Sequence, residues 1–314
     1  IRVDSVDPLG RPIECRIVWV AESRTAVIEM SEASGLHRLL HSERDPRKAN
    51  TFGTGLLIKD ATMFGAKRIL LGIGGSATTD GGFGMAAALG YRFLCSEGEV
   101  LEPIPANFPK IASIDASDVY PLPEIVVACD VQNPLLGERG TAAVFAPQKG
   151  ADEGAVRFLE GGLSHFSKIV DRDLQCNHRD TPGAGAAGGL GYGLLSFCKA
   201  SLRSGFALVS EAVHFESLLA QADLVVTGEG SLDRQTLDGK GPAGVADMAR
   251  AAGKPVLAFA AFVEEYPALF QHFDAIFPII DRVVSFEEAC RDADVFLHRA
   301  AARAARLISH PISI

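Results

Sequence analysis

Cysteine is scarce and badly spaced for chemistry: the six residues, at positions 15, 95, 129, 176, 198 and 290 of 314, form no C-x-x-C pair. That spacing excludes a disulfide-dense secreted scaffold and points to reduced thiols in a cytoplasmic protein. Long hydrophobic runs are missing as well. Glycine or charge cuts even the richest apolar segments, so no membrane span is expected. Positive charge is in deficit, with 30 Lys and Arg against 39 Asp and Glu for a net charge of -9. This balance argues against a nucleic-acid partner, which would demand many neutralised phosphates.

Several motifs are absent too. No G-x-x-x-x-G-K-[ST] occurs, and no H-R-D with a later D-F-G. His37 and His41 have H-x-x-x-H spacing, but Arg38 stands where a zinc protease carries its glutamate base, so a solvated helix face is expected. Ser76 and Ser231 lack the G-x-S-x-G elbow of hydrolase triads. The opening Ile1-Arg2-Val3-Asp4 is neither a methionine start nor a signal peptide, and the natural N-terminus is expected to lie upstream.

What is present reads as a folded α/β protein: 47% of residues are hydrophobic and 22% charged, enough for a large core or two. Turn chemistry at Asp7-Pro8-Leu9-Gly10 sits among strand-like segments at 12–21 and 25–30. A helical pattern through Leu57 to Phe64 precedes an uncharged strand at 69–73. A helix over 83–89, a strand over 91–95, an irregular stretch over 96–123, a strand over 124–128 and a helix over 156–173 follow. A helix over 194–200 closes this part. From Asp223 onward strands at 223–227, 254–262 and 275–280 alternate with helices at 241–252 and 267–273. A last helix begins at Ser285, with Glu288 completing a capping box.

Three glycine-rich loops lie where strand or loop meets helix. There unpaired backbone N–H groups favour anions, and glycine lets a phosphate approach the main chain. They are Gly72–Gly82, Pro182–Gly189, and Gly228–Asp233 with its continuation Asp238-Gly239-Lys240-Gly241. The first two also fit dinucleotide fingerprints, through Gly72, Gly74 and Ala77 and through Gly183, Gly185 and Gly188, which supports an NAD(P)-dependent oxidoreductase. Asp80 inside the first loop opposes that reading, since a carboxylate repels a pyrophosphate. Lys149, Lys240 and Arg234 lie in or beside such segments and suit phosphate oxygens, or simple solvation. Asp130 follows the buried run Ile125–Cys129 at a strand's carboxyl end, and Glu229 follows Leu224–Thr227 in the same way. Either suits deprotonation of a hydroxyl or Mg2+ binding.

Taken together, the segments resemble the bacterial type 1 glycerate kinase family. The resemblance rests on Gly72–Gly82, Cys129-Asp130-Val131-Gln132-Asn133-Pro134-Leu135, Ala146-Pro147-Gln148-Lys149-Gly150, Pro182–Gly189 and Gly228–Thr236 continuing to Gly239-Lys240. Asp7–Gly10 and Ala26–Met30 add to it. It implies ATP-dependent phosphorylation of D-glycerate, with 2-phosphoglycerate as the product. The implied fold has two α/β domains: a Rossmann-like, mainly parallel sheet domain interrupted by a second, mixed α/β domain, with the active site in the cleft. Family members open with a strand ending in Pro-Asp-Ser-Phe-Lys-Gly, a motif this chain does not contain. Residues 1–218 are accordingly expected to be the inserted domain, and 219–314 the returning half of a Rossmann-like domain lacking its N-terminal part.

Asp130, Lys240 and Glu229 are the candidate catalytic residues. Gly74, Gly75, Ser76, Asp80, Asn133, Lys149, Gly185, Gly188, Gly189 and Asp233 are the candidate substrate- and nucleotide-binding residues. Glu229 and Asp233 are candidates for Mg2+ or for ordering the third loop. A nicotinamide oxidoreductase and a non-catalytic small-anion sensor remain as alternatives.

Overall fold

A computed structural model describes residues 1–238 and 241–309. It falls into two compact units, Ile1–Arg203 and Ser204–Ile314, so the division lies ahead of the expected 218/219 boundary. The reason is local: two helices that the sequence pattern did not reveal, Gly205–Ala212 and Phe215–Gln221, fall in the second unit, and the latter contributes Phe215 and Leu219 to its core.

In the first unit a hairpin of β1 (Arg2–Val6) and β2 (Pro12–Arg16) closes through the expected turn, where Asp7 Oδ1 accepts from the Leu9 and Arg11 amides at 2.9 and 3.0 Å. Next come β3 (Val18–Val20), β4 (Thr25–Glu29) and β5 (Arg68–Gly72). Within the stretch 96–123, expected to be irregular, β7 (Ser113–Asp115) pairs antiparallel with β6 (Arg92–Leu94) and a 3-10 turn forms at Pro105–Lys110. After β8 (Glu124–Ala128) and β9 (Ser201–Arg203), the main sheet has the order β3-β4-β5-β8-β9, parallel except for the β3–β4 pair. Parallel strands are buried on both faces, which is why Ile69, Leu71, Val126 and Val127 read as uncharged runs.

Helices Phe52–Met63 and Glu153–Leu174 belong to this unit; the second is started by Asp152, whose carboxylate accepts from the Ala155 amide at 2.7 Å. Phe83, Phe93, Phe108, Phe166 and Phe197 form one aromatic cluster in the core, with ring centroids 4.5–6.2 Å apart. Edge-on and offset contacts of this kind add to plain burial.

The second unit carries a parallel sheet of β10 (Val225–Leu232), β11 (Val256–Val263) and β12 (Ala275–Pro278). Strand β10 runs to Leu232, so Gly228–Leu232 of the expected loop Gly228–Asp233 is strand. The expected last helix is two: Phe286–Arg291, capped by Ser285 as anticipated, and Ala293–Ser309. All six cysteines are free, and no helix among the described residues is long and apolar enough to cross a membrane.

Candidate active site

Loops leaving the carboxyl ends of parallel strands collect at one edge of a sheet, which is where α/β proteins place ligands. At that edge of the first unit lies a cavity of about 290 Å³. The loop after β5 supplies Ile73, Gly74, Gly75 and Ser76, the segment after β8 supplies Val131, and Leu36 comes from beyond β4. Phe145, Gln148 and Lys149 complete it with Ala187, the only lining residue from the second glycine loop.

The first loop is pinned beneath its surface. Asp80 is fully buried and accepts from the Thr51 amide (2.8 Å), the Thr51 hydroxyl (2.7 Å), the Gly84 amide (3.0 Å) and the Gly82 amide (3.2 Å). Burial pushes its pKa up, and these four donors pull it back. Asp80 was expected to touch ligand; here its carboxylate is spent on the loop and does not line the cavity.

Lys149, 2% exposed, forms part of the cavity wall. Its Nζ donates to Ser76 Oγ at 2.7 Å and to the Thr78 carbonyl at 2.6 Å, which leaves one of its three protons. Burial pulls its pKa down to about 7, against the opposing pull of the Asp80 charge. The amides of Gly74, Gly75 and Ser76 donate to no backbone carbonyl among the described residues. Gly75 has φ +71°, and a Cβ at Gly74 would meet nothing within 4 Å, so the main chain is open on that side. One buried ammonium, one hydroxyl and a run of unpaired amides make a site for a negatively charged oxygen.

The second glycine loop packs onto the first. Gly188 has φ +72°, a Cβ there would lie 1.8 Å from the Thr78 carbonyl oxygen, and its own carbonyl accepts from the Gly81 amide at 3.0 Å. Gly185 is held against the Pro134 carbonyl and Gly189 against Gly81. These three glycines therefore build the cavity by close approach, and none of them lines it. Asn133 likewise braces a loop, donating from Nδ2 to the Arg139 carbonyl at 2.7 Å. Asp130, exposed, directly precedes the lining residue Val131.

Neither glycine loop forms a dinucleotide turn. Residues 73–82 separate β5 from helix Phe83–Ala88, and Ala187, Gly188 and Gly189 have left-handed backbone inside the first turn of Ala186–Cys198. His37 and His41 lie on two separate 3-10 turns rather than one helix face.

The glycerate kinase family model matches residues 1–309. The chain belongs to that family. A glycerate kinase of Halalkalibacterium halodurans is 45% identical over 299 residues, covering 94% of this chain and 79% of that protein. The glycerate 2-kinase of Escherichia coli is 40% identical over 291 residues, covering 91% and 76%. A crystal structure of a putative glycerate kinase 2 from Salmonella typhimurium superposes with a TM-score of 0.81 at 40% identity, covering 97% of this chain and 82% of that one. The protein is thus a kinase, and the oxidoreductase and sensor readings are not favoured.

The third loop lies in the second unit. Glu229 Oε1 accepts a short hydrogen bond from the buried Thr236 hydroxyl, which in turn accepts from the Asp233 amide at 3.1 Å. Glu229 and Asp233 thereby order the turn. Arg234 pairs with Glu264 at 3.2 Å and lies over the Tyr266 ring. Glu229 also lines a separate cleft of about 930 Å³ with Phe262, Ile279 and Phe286. Lys240 lies outside the described residues. Sequence reasoning missed Leu36, Phe145 and Ala187, which carry no polar signal, and Thr51, whose role depends on a partner 29 positions away. Gln148 was within reach, since it adjoins Lys149 in a family block.

Proposed function

We propose that this kinase transfers the γ-phosphoryl group of ATP, bound with Mg2+, to the 2-hydroxyl of D-glycerate in the cytoplasm, giving 2-phosphoglycerate. The observation that carries this reading is the cavity with buried Lys149 and the open amides of Gly74–Ser76, a seat for anionic oxygen at the carboxyl edge of a parallel sheet. The Escherichia coli relative's name supports the choice of the 2-hydroxyl. Phosphoryl transfer asks for placement and charge neutralisation more than for covalent chemistry by the protein, and a fixed seat for an anionic group serves the placement.

Mg2+ that arrives with nucleotide keeps most of its waters and takes one or two carboxylates. Glu229 and Asp233 would hold it, and Lys240 would neutralise charge on the transferring group. Bound Mg2+ would supply charge neutralisation on the phosphate oxygens.

A coupled assay of ADP release with D-glycerate tests the reading. Adding enolase without a mutase separates the products, because only 2-phosphoglycerate is consumed directly. Turnover with a reduced nicotinamide signal and no ADP, or ligand binding with no turnover, would overturn it.

A pH dependence follows from Lys149. In the unfolded chain its pKa is 10.5, in the fold about 7, so this group's contribution to stability is present above pH 10.5 and is lost as pH falls through 7. Anion binding has the opposite sign, because it needs the ammonium. Above pH 7 the anionic ligand at Lys149 binds with proton uptake, and its affinity is expected to fall by up to about tenfold per pH unit. Calorimetry in buffers of different ionisation heat reads that uptake directly.

A further inference from the structure

We propose that the Lys149 cavity seats the carboxylate of the acceptor, a small 2-hydroxycarboxylate, and that the nucleotide's phosphates bind elsewhere. This rests on the glycerate kinase reading and assigns to its two anionic ligands the places that reading leaves open.

Charge decides first. Among the described residues, Lys149 is the only cation in the cavity lining, which contains no Asp or Glu. The fully buried Asp80 carboxylate also acts on Lys149 electrostatically and offsets part of its positive charge. A nucleoside triphosphate carries about four negative charges and comes with a metal that takes carboxylate oxygens, and this lining offers neither several cations nor a carboxylate. A single carboxylate needs only what is here: the remaining ammonium proton, the Ser76 hydroxyl and the amides of Gly74 and Gly75.

Size and polarity agree. The volume of about 290 Å³ lies at the foot of the roughly 300–1,000 Å³ range of drug-sized and cofactor pockets. Leu36, Val131 and Phe145 form apolar walls, which exclude water and strengthen one charge contact without serving a polyanion. Position agrees as well: Asp130, the candidate base, directly precedes wall residue Val131 at the same strand end, so its backbone adjoins the seat. The seat makes the carboxylate an entry requirement, so glycerol and glyceraldehyde are not accepted.

Calorimetry on the whole chain tests this with D-glycerate alone, with glycolate and D-lactate, and with a non-hydrolysable ATP analogue plus Mg2+. Lys149→Met is expected to weaken hydroxy-acid binding by about 10–150-fold, the worth of a hydrogen bond to a charged group, and to leave analogue affinity within about twofold. Gln148→Glu, on an exposed wall residue, keeps the fold if the buried replacement does not. It places a negative charge against the carboxylate and should weaken the hydroxy acid selectively. Loss of analogue affinity with hydroxy-acid affinity kept, or no change in either, overturns the assignment. So does failure of every hydroxy acid to bind the unaltered chain. If glycolate or lactate binds through Lys149 while D-glycerate neither binds nor turns over, the carboxylate seat stands and the glycerate reading fails.

Discussion

Replacing Asp80 with alanine is expected to remove about 5 kcal/mol of the first unit's stability, enough to unfold a domain of ordinary stability. The carboxylate satisfies the Thr51 amide and hydroxyl and the Gly82 and Gly84 amides, all away from water. Alanine supplies no acceptor, and each stranded donor costs about 1–3 kcal/mol, less than additively because the donors share one network. The substitution also leaves the Lys149 ammonium without its counter-charge, at a site where burial already pulls the pKa down to about 7. Asp80→Asn keeps one acceptor oxygen and should lose roughly half as much. Thr51→Ala should lose less, about 1–2 kcal/mol, since it removes one hydroxyl that bridges Asp80 and the Met85 amide. Urea unfolding followed by circular dichroism measures all three. A loss below about 1 kcal/mol for Asp80→Ala would mean that the donors find other partners and that the loop is not built on this residue.

Much of the fold was legible because it rests on local signals. Uncharged runs such as 69–73 and 125–128 suit strands buried on two faces, and the cap at Ser285 marks a helix start by its own hydrogen bond. The elements that escaped are those whose formation depends on partners: β7, three residues long, exists through its pairing with β6, and Gly228–Leu232 is strand because it lies beside β11. The same division runs through the site. Glycine marked both loops that build the cavity, and a family block marked Lys149, but their roles could not be read from the chain. Whether a glycine faces an open cavity, as Gly74 does, or a carbonyl, as Gly188 does, is set by the main chain opposite it. Asp80 read as a repulsive charge in a phosphate loop because its acceptors' donors, Thr51 above all, are distant in sequence.

Asp130→Asn is expected to lower kcat by about 10²–10⁴-fold, the usual worth of general-base assistance, with KM for D-glycerate changed by less than about threefold. The two side chains are nearly equal in size, and Asp130 is exposed at the end of β8, so the fold should be unaffected. Asparagine cannot take the proton that the glycerate hydroxyl must give up as its oxygen bonds to phosphorus. The size of the loss discriminates between mechanisms. In a loose transition state the proton leaves late and a base contributes little, so a kcat within a few-fold of normal would limit Asp130 to orienting the hydroxyl. A rise in KM at constant kcat would instead place Asp130 in ground-state binding, where it contributes nothing specific to the transferring group. Only the first outcome, a kcat loss at steady KM, makes the carboxylate at this strand end the base.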